Sequence, residues 1–232
     1  MEIVTKSKTK PTLIIIDDDD DDEEDDDEEE EVKIIPEQQL NHIVNKGTGA
    51  GGAKTNYYGK KFEEKTNNEP RLIEKGYTKI IMSKNKSGYY LSKKNEELNI
   101  IFVSQSGLKE YIKTVYNIEL FRCPDEGYII EKPNCKPKIL ILEKKNQNGS
   151  GSVDTKLLAG PIFREEYEEA LEYKFDVCYG FCVSKYLQDN IVSNTKKSQI
   201  FNNLMKRHNI SVLFGDDDNY FETLDEWINN SL

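Results

Sequence analysis

Histidine is nearly missing from this chain of 232 residues: there are two, His42 and His208, far apart and without a partner in sequence. Neither supports a histidine-built metal centre or a nucleophile–histidine scheme. Cysteine is scarce as well. Cys123, Cys135, Cys178 and Cys182 are too few and too scattered for a secreted disulfide framework. Eleven residues separate the first pair and three the second, so neither makes the compact knuckle of structural zinc. The expectation is free buried thiols, with a four-thiolate zinc site as the lesser alternative. No apolar run is long enough to span a membrane, and the N-terminus has no apolar signal core. The chain therefore reads as intracellular, cytoplasmic or nuclear in a cell or a virus, not secreted and with no membrane partner. No internal repeat is found, and the glycines before Lys54 lack the Gly-Lys-Ser/Thr ending of a phosphate-binding P-loop.

What is abundant is acid, in one place. Asp17 to Glu31 is an unbroken run of fifteen carboxylates, which accounts for the formal net charge of -11. Without those fifteen, 28 of the 43 acids remain against 32 bases, so the other 217 residues carry a net +4. Such a run repels itself and cannot pack, which predicts a solvated, disordered acidic segment in an N-terminal region of residues 1–40. The plainer reading of it is a solubilising tail; the sharper one is a DNA mimic that competes for a basic groove. Residues 41–232 form the expected folded domain. Only 36% of the chain is hydrophobic, but those residues cluster into runs, which favours one core with polar insertions.

The pattern interleaves helices and strands, so the fold class is α/β or α+β. A helix is predicted over about 60–74, interrupted or split at Pro70, and TLIII near the N-terminus could form an edge strand. KIIMSKNKSGYYLSKKNEELNIIFV alternates apolar runs with polar turns, and SQSGLKEYIKTVY reads as an amphipathic helix opened by a serine cap. Farther on come a helix at PIFREEYEEALEY, a strand at KFDVCYGFCVSKY, a basic helix at SNTKKSQIFNNLMKRHN, a strand at ISVLFG and a terminal helix.

The best-defined unit is GYII and KILIL, joined by a loop with two prolines that suit a turn and not a central strand. If the hairpin centres on Asn134, Asp125 lies opposite Glu143, nine residues to either side. Side chains alternate along a strand, so Glu143 and Lys145 share one face and Lys144 takes the other. Two carboxylates across a ladder suit a hard divalent cation, with the Lys144 carbonyl as a further ligand. Lys145 would then hold water and neutralise charge on a phosphate, the requirements of phosphodiester hydrolysis. The plain alternative is a strand leaving its core for solvent.

Pro124-Asp125 followed by Glu143-Lys144-Lys145 resembles the signature of the PD-(D/E)XK nuclease superfamily, a Pro-Asp at the start of one strand and a Glu-x-Lys at the end of the next. The resemblance covers about residues 45–215. It implies a restriction-endonuclease-like mixed central sheet flanked by helices, and a Mg²⁺-dependent endodeoxyribonuclease in which Mn²⁺ can substitute. By that resemblance Asp125 and Glu143 with Lys144 hold metal, Lys145 positions the nucleophilic water, Glu63, or failing it Glu64, supports the site from an upstream helix, and Gln147 touches the water or the scissile phosphate. DNA contacts would come from the glycine-rich lead-in, Gly49, Gly51, Gly52, Lys54, Asn56 and Lys60, and from Ser152 and Lys156 beyond the motif; a plain flexible linker remains the other reading of those glycines. The partner would be double-stranded DNA, and because two cuts in a duplex need two active sites, a homodimer is compatible. The rival is a non-catalytic protein that binds DNA or basic proteins and retains a nuclease-like fold.

Overall fold

The computed structural model describes residues 53–84, 88–148 and 153–232, with side chains from Tyr57 in the first helix and from Thr155 in the fourth. The chain divides into a unit Met1–Val44 and a unit Asn45–Leu232, and every described residue belongs to the second. The TLIII segment, the acidic run, His42, Gly49, Gly51, Gly52 and Ser152 lie outside the described residues, as do the side chains of Lys54 and Asn56.

The order is α1 (Ala53–Lys65), α2 (Glu69–Glu74), β1 (Thr78–Ile81), β2 (Tyr89–Lys94), β3 (Asn99–Val103), α3 (Ser106–Tyr116), β4 (Glu126–Glu131), β5 (Lys138–Lys145), α4 (Val153–Leu157), α5 (Gly160–Ala170), β6 (Asp176–Val183), α6 (Lys185–Val192), α7 (Lys196–Arg207), β7 (Ile210–Phe214) and α8 (Tyr220–Asn229). The seven strands among the described residues form one mixed sheet in sequence order, antiparallel from β1 to β5 and parallel from β5 to β7. The change of direction follows from the connections. Short loops join β1 to β2, β2 to β3 and β4 to β5, and β3 returns to β4 through α3, whereas α4–α5 and α6–α7 supply the long crossovers that parallel neighbours require.

Alternation along β5 sorts the core into two layers. Ile139 and Ile141 pack with Leu108, Tyr167, Tyr179 and Phe181 under α3, α5, α6 and α7. Leu140 and Leu142 pack with Phe62, Leu72, Tyr128, Leu213 and Leu224 under α1, α2 and α8. The chain is thus a mixed α/β protein, its sheet flanked by helices on both faces.

Local differences from the sequence-based expectations have physical causes. The first predicted helix is split near Pro70 as expected, but it starts at Ala53, not near Lys60. Pro70 falls in the first turn of α2, where its missing N–H costs nothing, and the break before it is closed by the Thr66 hydroxyl on the Phe62 carbonyl at 2.8 Å. The expected serine cap of α3 is not formed. Gln105 is the N-cap, with φ of 46°, and its own N–H goes to the Pro124 carbonyl at 2.9 Å. The helix α6 was hidden in the polar spacing of KYLQDNIV. At Gly215 an added Cβ would lie 2.7 Å from both Cys182 Sγ and Phe62 Cζ, so the approach of α1 to the end of β7 requires glycine there.

Candidate active site

The β4–β5 hairpin turns at Asn134, whose φ of 60° is the left-handed conformation asparagine tolerates. Its ladder pairs Ile130 with Lys138 through to Glu126 with Leu142. One step further along that register places Asp125 opposite Glu143, at the place where β4 begins. Asp125 Oδ2 accepts the Lys144 N–H at 2.5 Å, closing the ladder with a side chain instead of a main-chain carbonyl. In a strand a residue's N–H and C=O point to the same side, so the Lys144 carbonyl faces the Asp125 edge too.

Glu143 does not leave the core for solvent. Its side chain is only 14% exposed, and its Oε2 accepts from Lys145 Nζ at 2.8 Å. Burial pushes its carboxyl above the usual range; Lys145 pulls it down and Asp125 pushes it up. Lys144 points to the other face, as alternation demands. Its side chain is 4% exposed, and its ammonium is bound at 2.7 Å to Glu126, whose side chain is 2% exposed. Glu126 also accepts from the Asn68 N–H at 3.2 Å and the Tyr128 hydroxyl at 2.6 Å, and Asn68 Nδ2 donates to Tyr128 at 3.0 Å. The Lys144 side chain is therefore committed to a buried ion pair under the α1–α2 junction, and any ligand role belongs to its main chain.

Glu63 comes from α1, in the layer opposite Glu143. Its carboxyl is also raised, first by burial and then by Asp125, against the lowering effect of Lys144, Lys145 and Lys60. Asp125 is the common neighbour of both acids. A cleft of about 270 Å³ opens on the α1 side, lined among others by Lys60, Glu63, Gln105, Asp125, Glu126 and Lys144. Lys60 is exposed at its rim.

The structure thus brings Glu63, Asp125, Glu143, Lys144, Lys145 and Lys60 to one end of the β4–β5 hairpin. Gln147 is placed differently: its main chain is held by the Ser184 hydroxyl, with bonds of 3.1 and 3.0 Å, at the end of β6. Lys156 is exposed on α4, a helix of five residues. His208 is an exposed C-cap of α7. The thiols are free, but not uniformly buried as expected. Cys123 and Cys135 are exposed, whereas burial pushes the Cys182 thiol up to about 12. Sequence reasoning missed Glu126; its register position opposite Leu142, on the face of Lys144, was the signal that a buried amine there had a partner.

An oxygen-only donor set with mutually repelling carboxylates fits a hard cation such as Mg²⁺, which takes one or two carboxylates and keeps water for its other positions. Among the described residues no three His, Cys, Asp or Glu side chains group to hold an ion by themselves. Glu63 and Glu143 lie in opposite layers and both carboxyls are raised by the Asp125 charge, so an ion would rest on Asp125 with one of them and on main-chain or solvent oxygen. No helix among the described residues is long and apolar enough to cross a membrane. Comparison with protein-family models, curated proteins and solved structures returns no match, so the geometry alone carries the functional argument.

Proposed function

We propose that this chain is a divalent-metal-dependent phosphodiesterase. More narrowly, it reads as a Mg²⁺-dependent endodeoxyribonuclease of the PD-(D/E)XK, restriction-endonuclease-like type, acting on double-stranded DNA and leaving a 5′-phosphate. The observation that carries this reading is the register: Asp125 faces Glu143 across the hairpin, and Lys145 stands 2.8 Å from the Glu143 carboxylate on the same face.

The division of labour follows from the groups. Asp125 and Glu143, with the Lys144 carbonyl, would hold the ion, and Glu63 would support it from α1. Bound there, the ion supplies Lewis acidity to the phosphoryl oxygen and charge for the leaving group. The Lys145 ammonium orients the attacking water and offsets negative charge that develops on the phosphate. Lys60, at the rim of the cleft, would meet the backbone of the duplex.

The test is plasmid nicking by purified protein in Mg²⁺, beside Glu143→Ala and Lys145→Ala. Each substitution is expected to lower the rate by about 10²-fold or more, the usual effect of removing a group that stabilises transition-state charge. Equal nicking by parent and variants would remove the enzyme and leave a DNA- or basic-protein-binding protein, the reading to which the acidic run also lends itself.

A further inference from the structure

Behind Glu143, away from the cleft, lie two phenols that the proposed chemistry does not use. Tyr179 is on β6, two residues before Phe181, the register partner of Glu143, and so shares the Glu143 face. Tyr167 reaches the same place from α5, with its ring centroid 6.3 Å from that of Tyr179. They are 2% and 1% exposed, Tyr167 and Tyr179 respectively. Both hydroxyls are sealed from solvent, and neither has a hydrogen-bond partner among the protein's atoms.

Two orphaned hydroxyls on neighbouring buried rings are unusual, because a buried polar group without a partner has given up its water for nothing. After burial, the Glu143 carboxylate is the largest influence raising both phenols. An ionised carboxylate has about four acceptor sites, and at Glu143 one oxygen already serves Lys145. Arg122, which also bears on Glu143, spends two of its N–H groups on Glu166 by bonds of 2.9 and 2.8 Å and stacks on Phe163. A buried water typically makes about three hydrogen bonds; two phenols and one carboxylate provide three partners.

We infer that Tyr167 and Tyr179 hold a buried water against the Glu143 carboxylate and so act as positioning residues for it. The pair fixes the acid from behind while Lys145 fixes it in front. This rests on Glu143 being the site carboxylate of the proposed function.

The experiment is a thermal double-mutant cycle with Tyr167→Phe and Tyr179→Phe, each in the parent and in Glu143→Leu, joined to calorimetric titration of the proteins with Mn²⁺. The expected result is a Tm lowered by about 2–4 °C for each Tyr→Phe in the parent, with no loss in the Glu143→Leu background. Mn²⁺ affinity should fall by about tenfold in each single phenylalanine variant, as when a group that orients a ligand is removed. A Tm that is unchanged or raised in the parent, an equal loss in both backgrounds, or an unaltered Mn²⁺ affinity would overturn the inference. A parent protein that binds no Mn²⁺ and leaves plasmid intact would instead remove the nuclease reading, and the thermal cycle would still decide whether the phenols serve Glu143.

Discussion

A carboxylate kept in a dry place against its preference is the clearest mark of the site at the scale of single residues. Burial raises the Glu143 carboxyl more than Lys145 lowers it, so its charged form is worse off in the folded protein than in the unfolded chain. The linkage has a definite sign: a carboxyl raised on folding favours the folded state below the unfolded value, near 4.5, and that contribution is lost as pH rises through the folded value. In the metal-free protein, Glu143→Gln should therefore raise stability at pH 7, and the gain should vanish on acidification below about pH 4, where the parent carboxyl is protonated in both states. Urea unfolding of both proteins across that range checks this. A constant difference at all pH values would mean that packing, not charge, decides the effect. On the proposed function the same substitution should reduce activity, and the site would give up stability for chemistry, as functional sites commonly do.

At the scale of elements, the hairpin was legible because two short-range signals agree: prolines confine the turn, and an unbroken apolar run of strand length stands on either side of it. Counting outward from Asn134 was enough to place Asp125 against Glu143. The Glu126–Lys144 pair was not read, because a lysine at a strand end suggests solvent unless its partner is known, and the partner lies across the ladder and beneath a helix junction set by tertiary packing. The start of α3 was misread for a similar reason, since its Gln105 N–H answers to Pro124 and not to a local serine. The buried pair ties β5 to the α1–α2 junction through Asn68 and Tyr128. Glu126→Ala or Lys144→Ala leaves a charge without its partner, and each should cost about 3–5 kcal/mol by denaturant unfolding. The double substitution Glu126→Leu/Lys144→Met should cost clearly less than the two single losses together, because no lone buried charge remains. Strict additivity would show that the two groups do not act as a pair.

For the whole molecule the governing quantity is the uneven distribution of charge. Residues outside Asp17–Glu31 carry a net +4, and that run contributes -15. A duplex approaching the full chain meets a net negative protein, whereas one approaching a chain without the run meets a mildly positive one. DNA binding releases counterions in proportion to the phosphates neutralised, and long-range charge acts over a Debye length of about 10 Å at 0.1 M salt. Deleting residues 17–31 should therefore tighten binding to a duplex of arbitrary sequence at low salt, and the advantage should shrink as salt rises and the acidic field is screened. Fluorescence anisotropy of the full chain and the deletion, each titrated into labelled duplex in Mg²⁺-free buffer from low to high salt, reads this directly. Equal affinity of the two proteins at the lowest salt would show that the acidic run does not compete with DNA, and would leave solvation as its physical consequence.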